Sequence, residues 1–164
     1  MYTVAVLVER ALNDLDADQL VALHEALDDT VTYHLILPVE SSSAALASSL
    51  SSLGTGEVAP AVAPELVLDA ADEVRRQGAE ELDASAALLR ARDQAVVPLL
   101  TDDDPVDELV RVVREHSADE AIILTEPHFV KEFFGLDWSA RAKRALDVPT
   151  LHLIEHVPFD GQAR

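Results

Sequence analysis

The sequence predicts an α/β fold, a three-layer doubly wound sandwich on a parallel sheet, from two observations. Short, continuously apolar runs rich in β-branched residues recur along the chain, as strands buried on both faces do. They alternate with stretches of helical periodicity, and strand–helix alternation throughout gives a parallel sheet covered on both sides. A chain of 164 residues with 49% hydrophobic content is long enough for one well-buried core and too short for two ordinary ones. A single domain over residues 1–164 is expected.

Thr3 to Val8 is the first strand by these criteria. Asp16 or Asp18 is positioned to cap a helix reaching Leu27, with Leu20, Val21, Leu23, His24 and Leu27 at helical spacing. Thr30 to Val39 is the second strand, ended by Pro38. Ser41 to Pro64 then turns Ser/Ala-rich and Gly/Pro-rich, a composition that buries little apolar area and reads as a surface insertion, with a lid over a ligand site as the alternative. Glu65 to Arg92 has helical periodicity through Leu66, Ala70 and Val74, then Leu82, Ala86 and Leu89, with Gly78 a candidate kink or division.

Gln94 to Leu100 is a third strand, and Asp104 followed by Pro105 is a typical helix entry, an acidic cap before proline at the first helical position. That helix runs to about Ser117. Ala121 to Leu124 is a fourth strand, Ser139 to Leu146 belongs to a final helix, and Thr150 to Glu155 is a fifth strand. Ligands in such folds sit at the carboxyl ends of strands near the topological switch. Those ends are Val8 to Arg10, Val39 to Glu40, Leu100 to Asp103 and Thr125 to His128.

The formal net charge is −19, from 31 acidic and 12 basic residues, and no Lys/Arg run forms a basic patch. Nucleic acid and anionic membrane surfaces are disfavoured partners. There is no cysteine, which excludes disulfides, thiol catalysis and thiolate metal sites. Val4 to Val8 stops at Glu9 and Arg10, too short for a signal segment, and no run approaches the ~18 apolar residues that span a bilayer. A cytoplasmic protein is expected.

VVPLLTDDDPVDELVRVVREHSADEAIIL resembles the universal stress protein pattern: a strand, a short acidic turn with Pro, a helix, an Ala-Asp pair and an apolar strand. The closing RALDVPTLHLI resembles that family's last helix and final strand, with Pro149 at its characteristic proline. The likeness covers nearly the whole chain except Ser41 to Pro64. It implies a five-stranded sheet of order 3-2-1-4-5, the adenine nucleotide alpha hydrolase-like fold, and a stress-response or regulatory role. It also implies a homodimer formed through the last strand, for which Thr150 to Val157 has the composition of an edge that pairs.

Many universal stress proteins bind ATP through an Asp after the first strand and a signature of the form G-x2-G-x9-G-[ST] after the fourth. Glu9 falls near the Asp position, but the glycine positions fall around Leu124 to Pro127 and Gly135 to Ser139, where only Gly135 is glycine. A triphosphate needs close backbone approach and free N–H donors, which glycine allows and Pro127 denies. Glu126, Glu132 and Asp137 add negative charge, opposed by Lys131 and His128. Each like-charge contact costs on the order of 1 kcal/mol at ~4 Å in water. The expectation is a protein without a cofactor that does not bind ATP in the family's manner. The alternative is a member with a rewritten loop that holds ATP or AMP through Glu9, Val39, Thr125, His128 and Ser139.

Other chemistry is weaker. His152 and His156 are four apart on one strand face, but that spacing is roughly 13 Å, too far for one ion with His nitrogens at ~2.1 Å. Asp102, Asp103 and Asp104 suggest a receiver-type acidic site, yet Glu9 is followed by Arg10 rather than a second acid, and no lysine follows Leu151; a helix-capping run is favoured. ERALND does not supply the Ser-Gly-Gly-x-Asp-Ser loop of ATP pyrophosphatases. A non-catalytic protein is therefore expected. Phe129, Phe133, Phe134 and Trp138 cluster within ten positions, read as packing against the sheet, or else as an apolar plug or a contact surface for an unidentified protein partner.

Overall fold

The computed structural model describes residues 1–39, 64–125 and 144–162. The Ser/Ala/Pro-rich insertion up to its last residue, the loop of Glu126 to Lys131, the aromatic cluster and all but the end of the Ser139–Leu146 helix lie outside the described residues.

In chain order the elements are β1 (Tyr2–Val8), α1 (Asp14–His24), β2 (Val31–Pro38), α2 (Pro64–Arg90), β3 (Ala95–Thr101), α3 (Pro105–Glu115), β4 (Glu120–Thr125), β5 (Thr150–Ile154) and α4 (Phe159–Gln162). All sheet pairings are parallel, and the five strands lie in the order β3-β2-β1-β4-β5. This is the order the resemblance implies.

Strand parity divides the core into two layers. Val4, Val6 and Val8 of β1 pack with Leu35, Ile122, Leu124 and Leu153 against Ala17 and Leu20 of α1 and Leu82 and Leu89 of α2. Ala5 and Leu7 point the other way, with Ile36, Ala121 and Ile123, against Val106, Leu109, Val112 and Val113 of α3. Because β1 and β4 are covered on both faces, their sequences have no polar alternation, which is the pattern read above.

Several boundaries differ from expectation for local reasons. Helix α1 is capped by Asn13, not by Asp16 or Asp18. The Asn13 side chain accepts from the Asp16 N–H at 2.9 Å while the Asp16 carboxylate accepts from the Asn13 N–H at 3.1 Å, a reciprocal capping box. The helix ends at His24, and Leu23 and Leu27 are exposed rather than core. Helix α2 passes through Gly78 unbroken; a Cβ there would meet Leu100 Cδ1 at 3.2 Å, so the glycine permits close approach to β3.

Among the described side chains of α2, the fully buried ones are in its second half. Leu82, Ala86 and Leu89 are buried, whereas Ala70 and Leu68 are exposed. A helix of 27 residues runs about 40 Å, well beyond the ~23 Å of a seven-residue strand. Helix α3 begins as its sequence predicts, with the Asp104 carboxylate accepting from the N–H groups of Val106 and Asp107 at 3.0 and 3.1 Å. Asp102 pairs with Arg75 on the surface. The acidic run is thus divided between a cap and a surface ion pair.

His34 of β2 stacks on His116, the C-cap of α3, with ring centroids 4.0 Å apart. Burial, and then the neighbouring imidazole, lower the His34 pKa. A folded value below the unfolded one means that the neutral ring stabilises the fold and that this contribution is lost as pH falls. His34→Phe keeps the ring stack without the titration. Its thermal midpoint relative to wild type is expected to rise as pH is taken from about 7.5 to about 5; a difference independent of pH would contradict this reading.

Candidate functional site

The sheet register brings the predicted ligand end together. Val8 pairs with Leu124 and Leu7 with Ile36, so Glu9 emerges beside Thr125, and Val39 follows the end of β2 on the other side of β1. Glu9 N–H donates to Leu124 O at 3.3 Å and Val39 N–H to Thr101 O at 2.8 Å. With neighbouring strands about 4.8 Å apart, Val39 and Thr125 stand on the order of 10 Å from each other across β1. The chain winds from β1 outward to β2 and β3, then returns on the other side to β4 and β5, so the switch lies between β1 and β4. Glu9, Val39 and Thr125 are therefore on one edge, as expected. His128 and Ser139 lie outside the described residues.

A residue without a predicted role occupies this edge. Glu155, in the turn after β5, is 1% exposed, and its Oε1 accepts from the N–H groups of Glu9 and Arg10 at 3.0 and 3.1 Å. Two successive backbone donors leaving a strand at the switch form a small anion-binding concavity, and here the anion is the chain's own carboxyl group. Glu155 Oε2 is buried with no hydrogen-bond partner among the described residues. Burial pushes the Glu155 pKa up to about 7; the Arg10 and Glu9 N–H groups oppose that rise, and the Glu9 and Asp16 carboxylates add to it.

The signal was present in the strand. Leu151, Leu153 and Glu155 share one parity, and Leu151 and Leu153 belong to the layer beneath α1 and α2. Continuing that parity past the end of β5 sends Glu155 inward.

Asp16 sits next to it on α1, also 1% exposed. Its Oδ1 accepts from the His156 N–H at 2.7 Å and its Oδ2 meets His156 Nδ1 at 2.7 Å. His156 has φ of 60°, a left-handed conformation uncommon outside glycine but tolerated by His, and β5 has already ended at Ile154. The expectation that His152 and His156 share a strand face is thereby corrected. His156 turns onto α1, whereas His152 Nε2 meets Thr125 Oγ1 at 2.9 Å. Gln19 Nε2 donates to Val157 O at 2.9 Å, and Gln162 Nε2 donates to Val157 O at 2.7 Å and to Gln19 Oε1 at 3.0 Å. The C-terminal turn is thus stitched to α1.

A second polar cluster lies at the opposite, amino end of the sheet. His24 Nε2 meets Glu120 Oε2 at 3.0 Å, His24 Nδ1 meets Tyr33 Oη at 2.9 Å, and the Tyr2 hydroxyl donates to Glu120 at 3.3 Å. Hydroxyl, imidazole and carboxylate stand in relay order. But Tyr33 is 0% exposed, its hydroxyl donates to Leu20 O at 3.0 Å, and burial followed by the Glu120 charge raises its pKa. A substrate cannot reach it. The cluster serves to satisfy polar groups where α1 and β4 meet.

No family model matches the sequence and no curated protein sequence is similar to it. Solved structures do match. The chain aligns with the hypothetical protein MJ0577, whose biochemical function was assigned from its structure, at 10% identity, over 93% of this chain and 95% of that one, with a TM-score of 0.64. A universal stress protein family protein from Arabidopsis thaliana with AMP bound matches at 12% identity, over 98% of each chain, with a TM-score of 0.56. The universal stress protein of Archaeoglobus fulgidus in complex with dAMP matches at 14% identity, over 93% of this chain and 97% of that one, with a TM-score of 0.51. The five-stranded parallel sheet of order 3-2-1-4-5, matched along almost the whole chain, has the universal stress protein fold.

Proposed function

We propose that this chain is a non-catalytic stress-response or regulatory protein built on the universal stress protein fold, and that it does not hold ATP in the family's usual manner. The observation that carries the reading is Glu155, whose carboxyl group takes the Glu9 and Arg10 N–H groups at the ligand end of β1. A triphosphate brought to that edge meets Glu155, Glu9 and Asp16 in place of free donors, and like charges in a shielded site repel by more than the ~1 kcal/mol per contact of open water. The sequence of the following loop, TEPHFVKEFFGLDW, supports the same reading through its lack of early glycines and its acids.

The second reading is adenine-nucleotide binding with a rewritten phosphate loop. It is favoured by the AMP and dAMP bound to two structural neighbours and by the convergence of Glu9, Val39 and Thr125 on one edge. AMP carries fewer phosphate charges into the acidic edge than ATP does. Isothermal titration separates the two. The first reading predicts no Mg-dependent ATP binding at micromolar concentrations and none for AMP; micromolar AMP binding without ATP binding would establish the second, and micromolar Mg-dependent ATP binding would overturn the first.

Homodimerisation through the last strand is part of the proposal. Strand β5 lies at one end of the strand order, where a sheet offers unpaired backbone groups. The usable segment is shorter than Thr150 to Val157. Glu155 turns inward, His156 docks on Asp16, and the Ile154 N–H donates to Gln162 Oε1 at 3.1 Å. Solution scattering at micromolar concentration is expected to give the mass of a dimer, and a monodisperse monomer would contradict it.

A further inference from the structure

Four residues of the C-terminal turn and α4 are tied to the body of the domain, three of them through side chains and Val157 through its backbone carbonyl. Glu155 meets the loop after β1, His156 meets Asp16 of α1, and Gln162 and Val157 meet Gln19 of the same helix. Among the described residues, the charged groups that act on Glu155 are the Glu9 and Asp16 carboxylates, and the N–H groups it accepts from are those of Glu9 and Arg10.

The two protonation states of Glu155 are not equivalent in this setting. A neutral carboxyl keeps both N–H bonds to Oε1 and leaves one buried hydroxyl on Oε2 without an acceptor. An ionised carboxylate shares its charge between Oε1, which the two N–H groups stabilise, and Oε2, which is buried with no partner among the described residues, with the Glu9 and Asp16 charges nearby; that makes ionisation costly in a buried site. His156 holds the same turn by its geometry: its N–H donates to Asp16 Oδ1 and its Nδ1 meets Asp16 Oδ2.

We propose that Glu155 is a proton-dependent clasp that, with His156 docked on Asp16, holds the C-terminal turn and α4 against β1 and α1, and that proton loss from Glu155 on rising pH releases it. Release would break the bonds of Glu155 to the Glu9 and Arg10 N–H groups at the ligand end and, through Gln162, the bond to the Ile154 N–H at the β5 edge. The sign follows from linkage. The folded pKa of Glu155, at about 7, exceeds that of a free glutamate, so the closed clasp is favoured below the free value, and its advantage is lost as pH rises through neutrality.

Amide hydrogen exchange on the intact protein, corrected for the intrinsic pH dependence of exchange, tests this directly. Between about pH 6 and pH 8.5, protection of the Arg10 and His156 amides is expected to fall by about tenfold or more, while Val6 and Ile122 in the central strands keep theirs. Glu155→Gln, which cannot ionise, is expected to hold its protection at both values. Equal protection at the two pH values in the wild type, or the same loss in Glu155→Gln, would overturn the clasp. A carbon-13 titration of the Glu155 carboxyl in the wild type gives a readout independent of the variant's folding. Its midpoint should coincide with that of the Arg10 amide shift, and a midpoint in the ordinary glutamate range would refute the proposal.

Discussion

Where the chain leaves β1, the consecutive N–H groups of Glu9 and Arg10 donate to one oxygen of a buried carboxyl group, that of Glu155, 146 and 145 residues away. That contact fixes how the last turn crosses the end of the sheet, and the other bonds of the turn follow from it. His156 takes a left-handed backbone and lands on Asp16, Asp16 completes the capping box of α1, and α1 packs Ala17 and Leu20 onto the sheet. A buried carboxyl group is an expensive way to satisfy two amides. The arrangement therefore points to a specific use of this edge rather than to stability alone.

The two ends of the sheet treat polar groups differently. At the amino end, His24, Tyr33, Glu120 and Tyr2 form a network in which both imidazole nitrogens and both hydroxyls have partners. At the carboxyl end, Glu155 Oε2 has none among the described residues. Satisfied networks rigidify a core, while an unsatisfied buried oxygen marks a place where structure and function compete. In doubly wound folds the carboxyl end is the ligand end, and the unpaired oxygen lies at that end.

Much of the fold was legible because its signals are local. The continuous apolar runs of β1 and β4, the Asp104–Pro105 helix entry, and the placement of Glu9, Val39 and Thr125 on one edge follow from residue type and strand parity. The features that were not legible depend on distant partners. Asp16 reads as a cap, yet the cap is Asn13, because Asp16 points its oxygens back to the Asn13 N–H and across to His156. Ala70 keeps helical spacing without becoming core, since the helix outruns the strand it covers. His156 fits a strand pattern until Asp16, 140 residues away, draws it out of the strand. Glu155 was visible only as the last residue of an inward-facing parity, and charge alone suggested the opposite.

The central claim is that this fold's ligand end is occupied by the chain's own acidic groups rather than by ATP. The most direct measurement is mass spectrometry of the small molecules released when the protein, purified without added nucleotide, is denatured. The account predicts no stoichiometric nucleotide. One ATP released per chain would contradict it.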